Sequence, residues 1–336
     1  MILVRIDYFN SMFKGLTEKK KNLLSRIKKL RIGINVVSDD YKVVELVKGK
    51  NKRQIVNLVL QFNKRPGVFL CKNKHVTKEL LGRAGISCPR GIGVAKYSEV
   101  GNKFKKKKMN FPVVVKPMDG AKGVGVNMNV KNFEQIRESM LKISKVDKNK
   151  VLGDVVIEEM IDGADYRLLV LNGKMIACCQ RKPAQLVGDG RRTINQLISK
   201  LNSSRPKAFY LVVDKEVKNV FKKEKVNLNT VLEKNRVIKL RKVVSVSQGG
   251  ASFNVTDQVS ARFKKIAEEA VGAVELEFGG VDLMTADIRS NNKNQKYWIL
   301  EINGAPQYEI NEKPIVEGSA ISVTDILLKK YMGFKQ

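Results

Sequence analysis

The sequence predicts an α+β chain of two or three domains, and three observations carry that expectation. At 336 residues the chain is long enough for more than one hydrophobic core. Hydrophobic residues make up 43% of it and aromatic residues 7%, an ordinary globular composition and too apolar for disorder. Short apolar strand patterns alternate with helical ones, and neither an internal repeat nor a low-complexity linker interrupts them.

In chain order, the first segment, MILVRIDYFN, places Arg5 and Asp7 where a signal peptide needs an unbroken apolar region, and no run of 18 apolar residues occurs anywhere. A cytoplasmic protein with no membrane partner is therefore expected. LTEKKKNLLSRIKKL reads as a basic helix, followed by the strand-like INVVSDDYKVVELV and IVNLVLQF. Residues 1–73 thus form a small α/β unit to which the residues assign no role. HVTKELLGRAGISCPRG gives a helix with apolar Val76, Leu80 and Leu81, closed by Gly85 and Pro89, and opens a second domain at 74–160. Within it the run Lys103 to Lys108 reads as a solvated loop. From Phe111 the order is strand (FPVVVKP), glycine-rich loop (DGAKGVG), strand (VNMNV), helix (NFEQIRESMLKIS) and strand (DVVIEEMI), a compact unit suited to be a lid. The third domain, 161–336, begins with a hairpin, YRLLVLNGKMIACCQRKPA, turning at Asn172-Gly173. A polar helical insert at about 193 to 236, the helix QVSARFKKIAEEAVGAV and a last hairpin complete it.

Composition excludes several mechanisms. His75 is the single histidine, which leaves almost no room for an imidazole triad or a histidine zinc site; it is expected on a helix surface without a partner. The cysteines Cys71, Cys88, Cys178 and Cys179 form no CxxC pair, and adjacent Cys178 and Cys179 would pack on opposite faces of a strand. Lys and Arg number 64 against 33 Asp and Glu, a net charge of +31. That balance fits a polyanionic partner such as nucleic acid or an acidic polymer, and equally a lysine-biased composition, because the lysines are spread along the chain without interleaved aromatics.

Three segments carry chemistry. In VVVKPMDGAKGVGV a strand delivers Lys116, and Gly120, Gly123 and Gly125 follow. Glycine N–H groups can converge on phosphate oxygens beside a lysine, yet neither common phosphate motif fits, since a strand follows Gly125. A flap over phosphates and a plain surface hairpin both remain open. In GGVDLMTADIRSNNKNQKYWILEINGAP, folding about the polar turn sets Asp282 across from Glu301, and Glu301 and Asn303 share a face. These three would offer two carboxylates and an amide carbonyl to a hard divalent ion, Mg²⁺ or alternatively Mn²⁺, or else form a surface hairpin whose acids pair with basic residues. In VVIEEMIDGADYR a buried strand runs into Glu158, turns after Ile161 and presents Asp165.

Together and in this order, the segments resemble the ATP-grasp superfamily, most closely the ATP-grasp module of cyanophycin synthetase and of the bifunctional glutathione synthetases. The likeness runs from Lys74 to Pro306 through NKHVTKELLGRAGISCPRG, FPVVVKPMDGAKGVGV, VVIEEMIDGADYRLLVLNGKMIA, RKPAQLVGDGRRTINQLI, SQGGASFNVTD, GGVDLMTADI and ILEINGAP. It implies an ATP-grasp fold, with a small lid subdomain and a larger α/β domain, and an ATP-dependent carboxylate–amine ligase that forms an amide through an acyl phosphate. Lys74 and Lys116 would then contact nucleotide phosphates under the Gly120 to Gly125 loop. Glu158 and the backbone near Ile161 would hold adenine, Asp165 the ribose, and Asp282, Glu301 and Asn303 the Mg²⁺. Arg241 would neutralise the acyl phosphate, and the N–H groups of Gly249 and Gly250 would grip a carboxylate. Relatives carry Asn where this chain has Ser245, and often Gly at Gln307. Arg167 and Arg181 are expected to be solvated charges. The implied partners are a small-molecule or peptide substrate, and a homo-oligomer; a nucleotide-binding pseudoenzyme or nucleic-acid-associated factor is the alternative.

Overall fold

The structure, a computed structural model, describes residues 16–120, 123–146, 154–313 and 315–334; the N-terminal segment MILVRIDYFN and, in the glycine-rich loop, Ala121 and Lys122 lie outside them. Contacts divide the chain into two units, Met1–Phe62 with Ile321–Gln336 and, separately, Asn63–Ala320. The sequence puts divisions after 73 and 160.

In the first unit, α1 (Glu18–Lys29) precedes three antiparallel strands, β1 (Gly33–Ser38), β2 (Val43–Lys48) and β3 (Asn51–Val56), in the order β1-β2-β3. Alternation puts Val44 and Leu46 on one face of β2, with Ile55 of β3 beside them. That face meets Leu23 and Ile27 of α1 and Leu328 and Met332 from the end of the chain. Each such fully buried Leu or Ile contributes on the order of 2 kcal/mol. Arg26 of α1 pairs at 3.3 Å with Asp325 of the helix Val323–Tyr331.

The second unit opens with α2 (Arg65–Lys72) and α3 (Lys74–Arg83), the latter capped by the Asn73 side chain on the amides of His75 and Val76. A four-stranded antiparallel sheet follows, β4 (Gly91–Val94), β5 (Val113–Pro117), β6 (Asn127–Val130) and β7 (Val155–Glu159), ordered β4-β7-β5-β6. It is covered by α4 (Val100–Lys106) and α5 (Phe133–Val146), with Val113, Val115, Ile136 and Ile157 in its core. Most of the expected solvated loop at Lys103 to Lys108 is therefore helix: Val100 and Phe104 anchor α4, and its lysines point outward. This is the lid.

Four residues link β7 to β8 (Ala164–Leu171), which pairs with β9 (Lys174–Lys182) through the expected Asn172-Gly173 turn, with φ of 48° and 70°. The main sheet runs β14-β13-β8-β9-β12-β15, with β12 at Ala251–Asn254, β13 at Phe278–Thr285, β14 at Tyr297–Asn303 and β15 at Val316–Glu317. One face is covered by the helix Ala261–Ala273, whose Phe263, Ala267, Ala270 and Val271 recur at helical spacing and join Tyr166, Leu168, Val170, Cys178, Val281 and Leu283. The polar insert has its own core: β10 (Gln185–Val187) and β11 (Val237–Lys239) bracket helices Ile194–Ser203 and Lys215–Lys223, started by a Thr193–Gln196 capping box and an Asp214 cap. Among the described residues no helix is long and apolar enough to cross a membrane.

Candidate active site

The site is made by two strand ends in the lid and by the face of the main sheet that lacks the helix. On the lid side Lys74, at the start of α3, is 7% exposed, and its Nζ donates to the Gly120 carbonyl at 2.8 Å. Burial lowers its pKa, opposed by the charge of Glu301. Lys116, near the end of β5, pairs with Glu158 at 2.7 Å, and Lys78 pairs with the other carboxylate oxygen of the same residue. Burial alone would raise the Glu158 carboxyl, but the two ammonium groups overcome it and hold it at about 2. Lys78, largely buried, is pulled down to about 8 by desolvation. Glu158 is thus shut away between lysines, 2% exposed. Its carboxylate anchors Lys116. Ile161 sits in the link between β7 and β8.

The glycine-rich loop carries the positive φ that such a turn needs, 72° at Gly123 and 75° at Gly125. A Cβ on Gly123 would lie 2.7 Å from Val243, so only glycine lets the loop approach the segment that leads to Gly249.

On the main sheet, Tyr166, Leu168 and Val170 of β8 fill the core, which leaves Asp165 and Arg167 on the opposite face. Register then sets Asp165 opposite Arg181, Arg167 opposite Asp282, and Asp282 opposite Glu301. Arg181 Nε donates to Asp165 at 2.6 Å and its Nη2 lies 3.1 Å from Asp282, while Arg167 clamps both Asp282 oxygens. Two arginines and two aspartates, each 9% exposed or less except for partly buried Arg181, form a charge-balanced quartet. The expectation that Arg167 and Arg181 are solvated is corrected: facing strands put them against acids. Burial would raise Asp282, but Arg167 and Arg181 hold it below the usual carboxylate range. Glu301, by contrast, is pushed up by burial and by Asp282, against the pull of Lys74 and Lys116.

A β-bulge decides which way Glu301 faces. Asp282 pairs with Glu301 but Leu283 pairs with Ile299, so Leu300 is an extra residue. Ile299 and Ile302 both enter the core, while Glu301 and Asn303 turn to the site. Asn303 pairs with Gly280 one step along, and its Nδ2 is buried without a hydrogen-bond partner. Glu301 and the Asn303 amide oxygen are hard donors that suit a divalent cation, and such a charge would relieve the elevated Glu301, whereas both Asp282 oxygens are taken by Arg167 and Arg181. Among the described residues no cluster of three His, Cys, Asp or Glu exists to hold a metal without the amide.

The expected catalytic group is split. Arg241, 6% exposed, is held at 2.7 Å by both Asp214 and Glu216, acids of the insert that sequence patterning did not single out. Gly249 has φ 89°, and its N–H donates to Val246; the Gly250 N–H donates to Ser245 at 3.1 Å. Both amides donate within the turn. The turn is braced from the insert, where Arg205 donates to the Gly250 carbonyl at 3.0 Å. A Cβ on Gly250 would meet the Lys182 carbonyl at 2.6 Å.

Cys178 and Cys179 pack into different cores on the two faces of β9, as expected. Burial pushes the Cys71 thiol up to about 12 and Cys88 to about 11, away from nucleophilic thiolate chemistry. His75 does lie on a helix, but with Glu79 at 3.7 Å. Lys78 was legible in principle, because it follows Lys74 at the i,i+4 spacing that puts both on one helix face.

The family model for a RimK-like ATP-grasp domain matches residues 71–197. Cyanophycin synthetase of Synechocystis is 29% identical over 279 residues, covering 81% of this chain and 32% of the relative. The glutathione biosynthesis bifunctional protein of Enterococcus faecalis is 27% identical, covering 97% of this chain and 42% of its own length. The chain thus spans well under half of the curated relatives it matches. A bifunctional glutathione synthetase structure from Pasteurella multocida superposes with a TM-score of 0.69 at 21% identity, over 96% of this chain and 45% of that one, which shows a shared fold.

Proposed function

We propose that this chain, which carries a RimK-like ATP-grasp domain and is distantly homologous to cyanophycin synthetase and bifunctional glutathione synthetase, is an ATP-dependent carboxylate–amine ligase. One arrangement supports the reading: Lys74, whose Nζ reaches the Gly120 carbonyl at 2.8 Å, and Lys116 stand on the lid side, and on the main sheet Glu301 stands opposite Asp282. Basic groups for a polyphosphate and hard ligands for its counter-ion meet at one place.

Lys74 and Lys116 hold the phosphates, with Glu158 and Lys78 fixing the aim of Lys116. The Gly120 to Gly125 loop closes over them and excludes water. Asp282, Glu301 and Asn303 would hold Mg²⁺, Asp282 giving up an arginine contact to do so, and the ion would offset phosphate charge. The substrate carboxylate attacks the γ-phosphorus, ADP leaves, and an amine displaces phosphate from the acyl phosphate to give the amide. Arg241 stabilises the charge that develops on the acyl group, and Asp214 and Glu216, each about half exposed, keep its guanidinium in place. The net charge of +31 favours an acidic amino acid or peptide as carboxylate donor, because opposite charge raises its local concentration.

An ADP-release screen of amino acids and short acidic peptides, with products read by mass, tests this. Hydroxylamine in place of the amine should yield a hydroxamate. Release of AMP and pyrophosphate would replace the acyl phosphate by an adenylate and sink the mechanism. Tight, strongly salt-dependent nucleic-acid binding with no ADP release on any acidic substrate would favour the nucleic-acid alternative.

A further inference from the structure

The ends of β13 and β14, the strands that carry Asp282, Glu301 and Asn303, are joined by a residue from outside the sheet. Asn63 Nδ2 donates to the Phe278 carbonyl at 2.6 Å and to the Gly304 carbonyl at 2.7 Å. Its Oδ1 accepts from the Glu277 amide at 2.9 Å and the Phe278 amide at 2.8 Å. One side-chain amide thus uses both donors and both acceptor lone pairs on backbone. The last ladder pair between these strands is Gly280 with Asn303. Past it β14 leaves the sheet, and Phe278 and Gly304 would have no bond joining them. Asn63 supplies that bond one covalent position beyond Asn303.

The surroundings leave little slack. A Cβ on Gly304 would lie 3.2 Å from the Val68 Cα, and one on Gly67 would lie 2.8 Å from the Val274 carbonyl. The segment from Asn63 to Val68 is therefore seated against the open end of the strand pair, and Asn63 is its only side chain to bond to both strands among the described residues. Asn303 itself has a buried Nδ2 without a partner, so nothing on that nitrogen holds its amide plane. Its orientation comes from its backbone, and its backbone is fixed by the Gly280 pairing on one side and the Gly304 carbonyl on the other.

We propose that Asn63 is a positioning residue for the divalent-cation site: it clamps the β13 and β14 ends so that Asp282, Glu301 and Asn303 converge on one ion. This rests on the reading of those three residues as metal ligands. Groups that orient metal ligands from outside typically govern affinity by about tenfold or more when removed.

The probe is Mn²⁺ with ADP, free Mn²⁺ being read by electron paramagnetic resonance on the full chain, so that no turnover is needed. Asn63→Ala should weaken Mn²⁺ binding about tenfold. Affinity for ADP without metal should stay within about twofold, which a general loss of structure would not allow. Asn63→Ser, whose hydroxyl can keep part of the bonding to these backbone groups, should fall between and decides the matter if the alanine variant does not fold. Asn202→Ala, which removes a comparable amide bridge to Leu211 in the insert, should leave Mn²⁺ affinity unchanged. Unchanged Mn²⁺ binding in folded Asn63 variants, with binding lost in Glu301→Ala, would overturn the role of Asn63 and leave the metal ligands standing. Unchanged binding in Glu301→Ala would remove the metal site itself, and the proposal with it.

Discussion

Glu158 and Glu301 are both acids near strand ends, the first buried and the second half-buried, and they behave oppositely. Glu158 in the lid touches two ammonium groups and is held ionised at about 2. Glu301 on the main sheet makes no ion pair among the described residues, stands opposite Asp282, and is pushed up. Burial is common to both, so contact decides. A carboxylate saturated by lysines is part of the scaffold, whereas one left beside a like charge has capacity for an incoming cation.

Removing Glu158 is expected to have the largest effect. Glu158→Ala strands Lys78 and Lys116 as buried charges without a counter-ion, at a cost of about 3–5 kcal/mol in stability, read by denaturant or thermal unfolding. Glu301→Gln should do the reverse, abolishing Mg²⁺-dependent ADP formation while melting at or above the parent temperature. Equal destabilisation by the two changes would break the comparison.

Acid should separate them next. Glu158 has its pKa depressed, so the stability it contributes is complete above about 4.5 and is lost as pH falls toward about 2. Glu301 has its pKa raised, so its protonated form is favoured by folding, and that contribution is present at low pH and lost as pH rises through its folded value. Melting temperature followed from about pH 7 to about pH 3 should fall for the parent and fall less for Glu158→Gln, with Glu301→Gln keeping the parental acid loss. A parental acid limb in Glu158→Gln would show that other carboxylates carry it.

The smallest effect sharpens the same point within one strand. Glu159, next to Glu158, pairs with Arg90 at 2.7 Å, but Arg90 is half exposed. Glu159→Ala should cost less than about 1 kcal/mol. A loss as large as that of Glu158→Ala would mean that position on β7, rather than enclosure of the pair, sets the energy.

Much of this site is local in origin and could be read along the chain. Periodicity alone marks the lid strands, the flanking helices, the Asn172-Gly173 turn and the opposite faces of Cys178 and Cys179, because side-chain direction within a strand or helix depends on nearest neighbours. Lys116, Asp282, Glu301 and Asn303 could be singled out for the same reason, each standing in or next to an apolar run, whereas Lys74 came only from the family resemblance. What pairs with what was not. That Arg167 and Arg181 meet Asp165 and Asp282 follows from the register of β8 with β9 and β13, residues more than 100 positions apart in the case of Asp282 and Arg167. That Gly249 and Gly250 spend their amides internally, and that Arg241 faces Asp214 and Glu216, follows from the folding of the insert. The bulge at Leu300 is the sharpest case. Strict alternation would send Ile299 and Glu301 to one face, and only the competition between core packing on one side and strand pairing on the other inserts the extra residue that divides them. Charges and chemistry are written residue by residue; which of them meet is a property of long-range register, and register is chosen by the core.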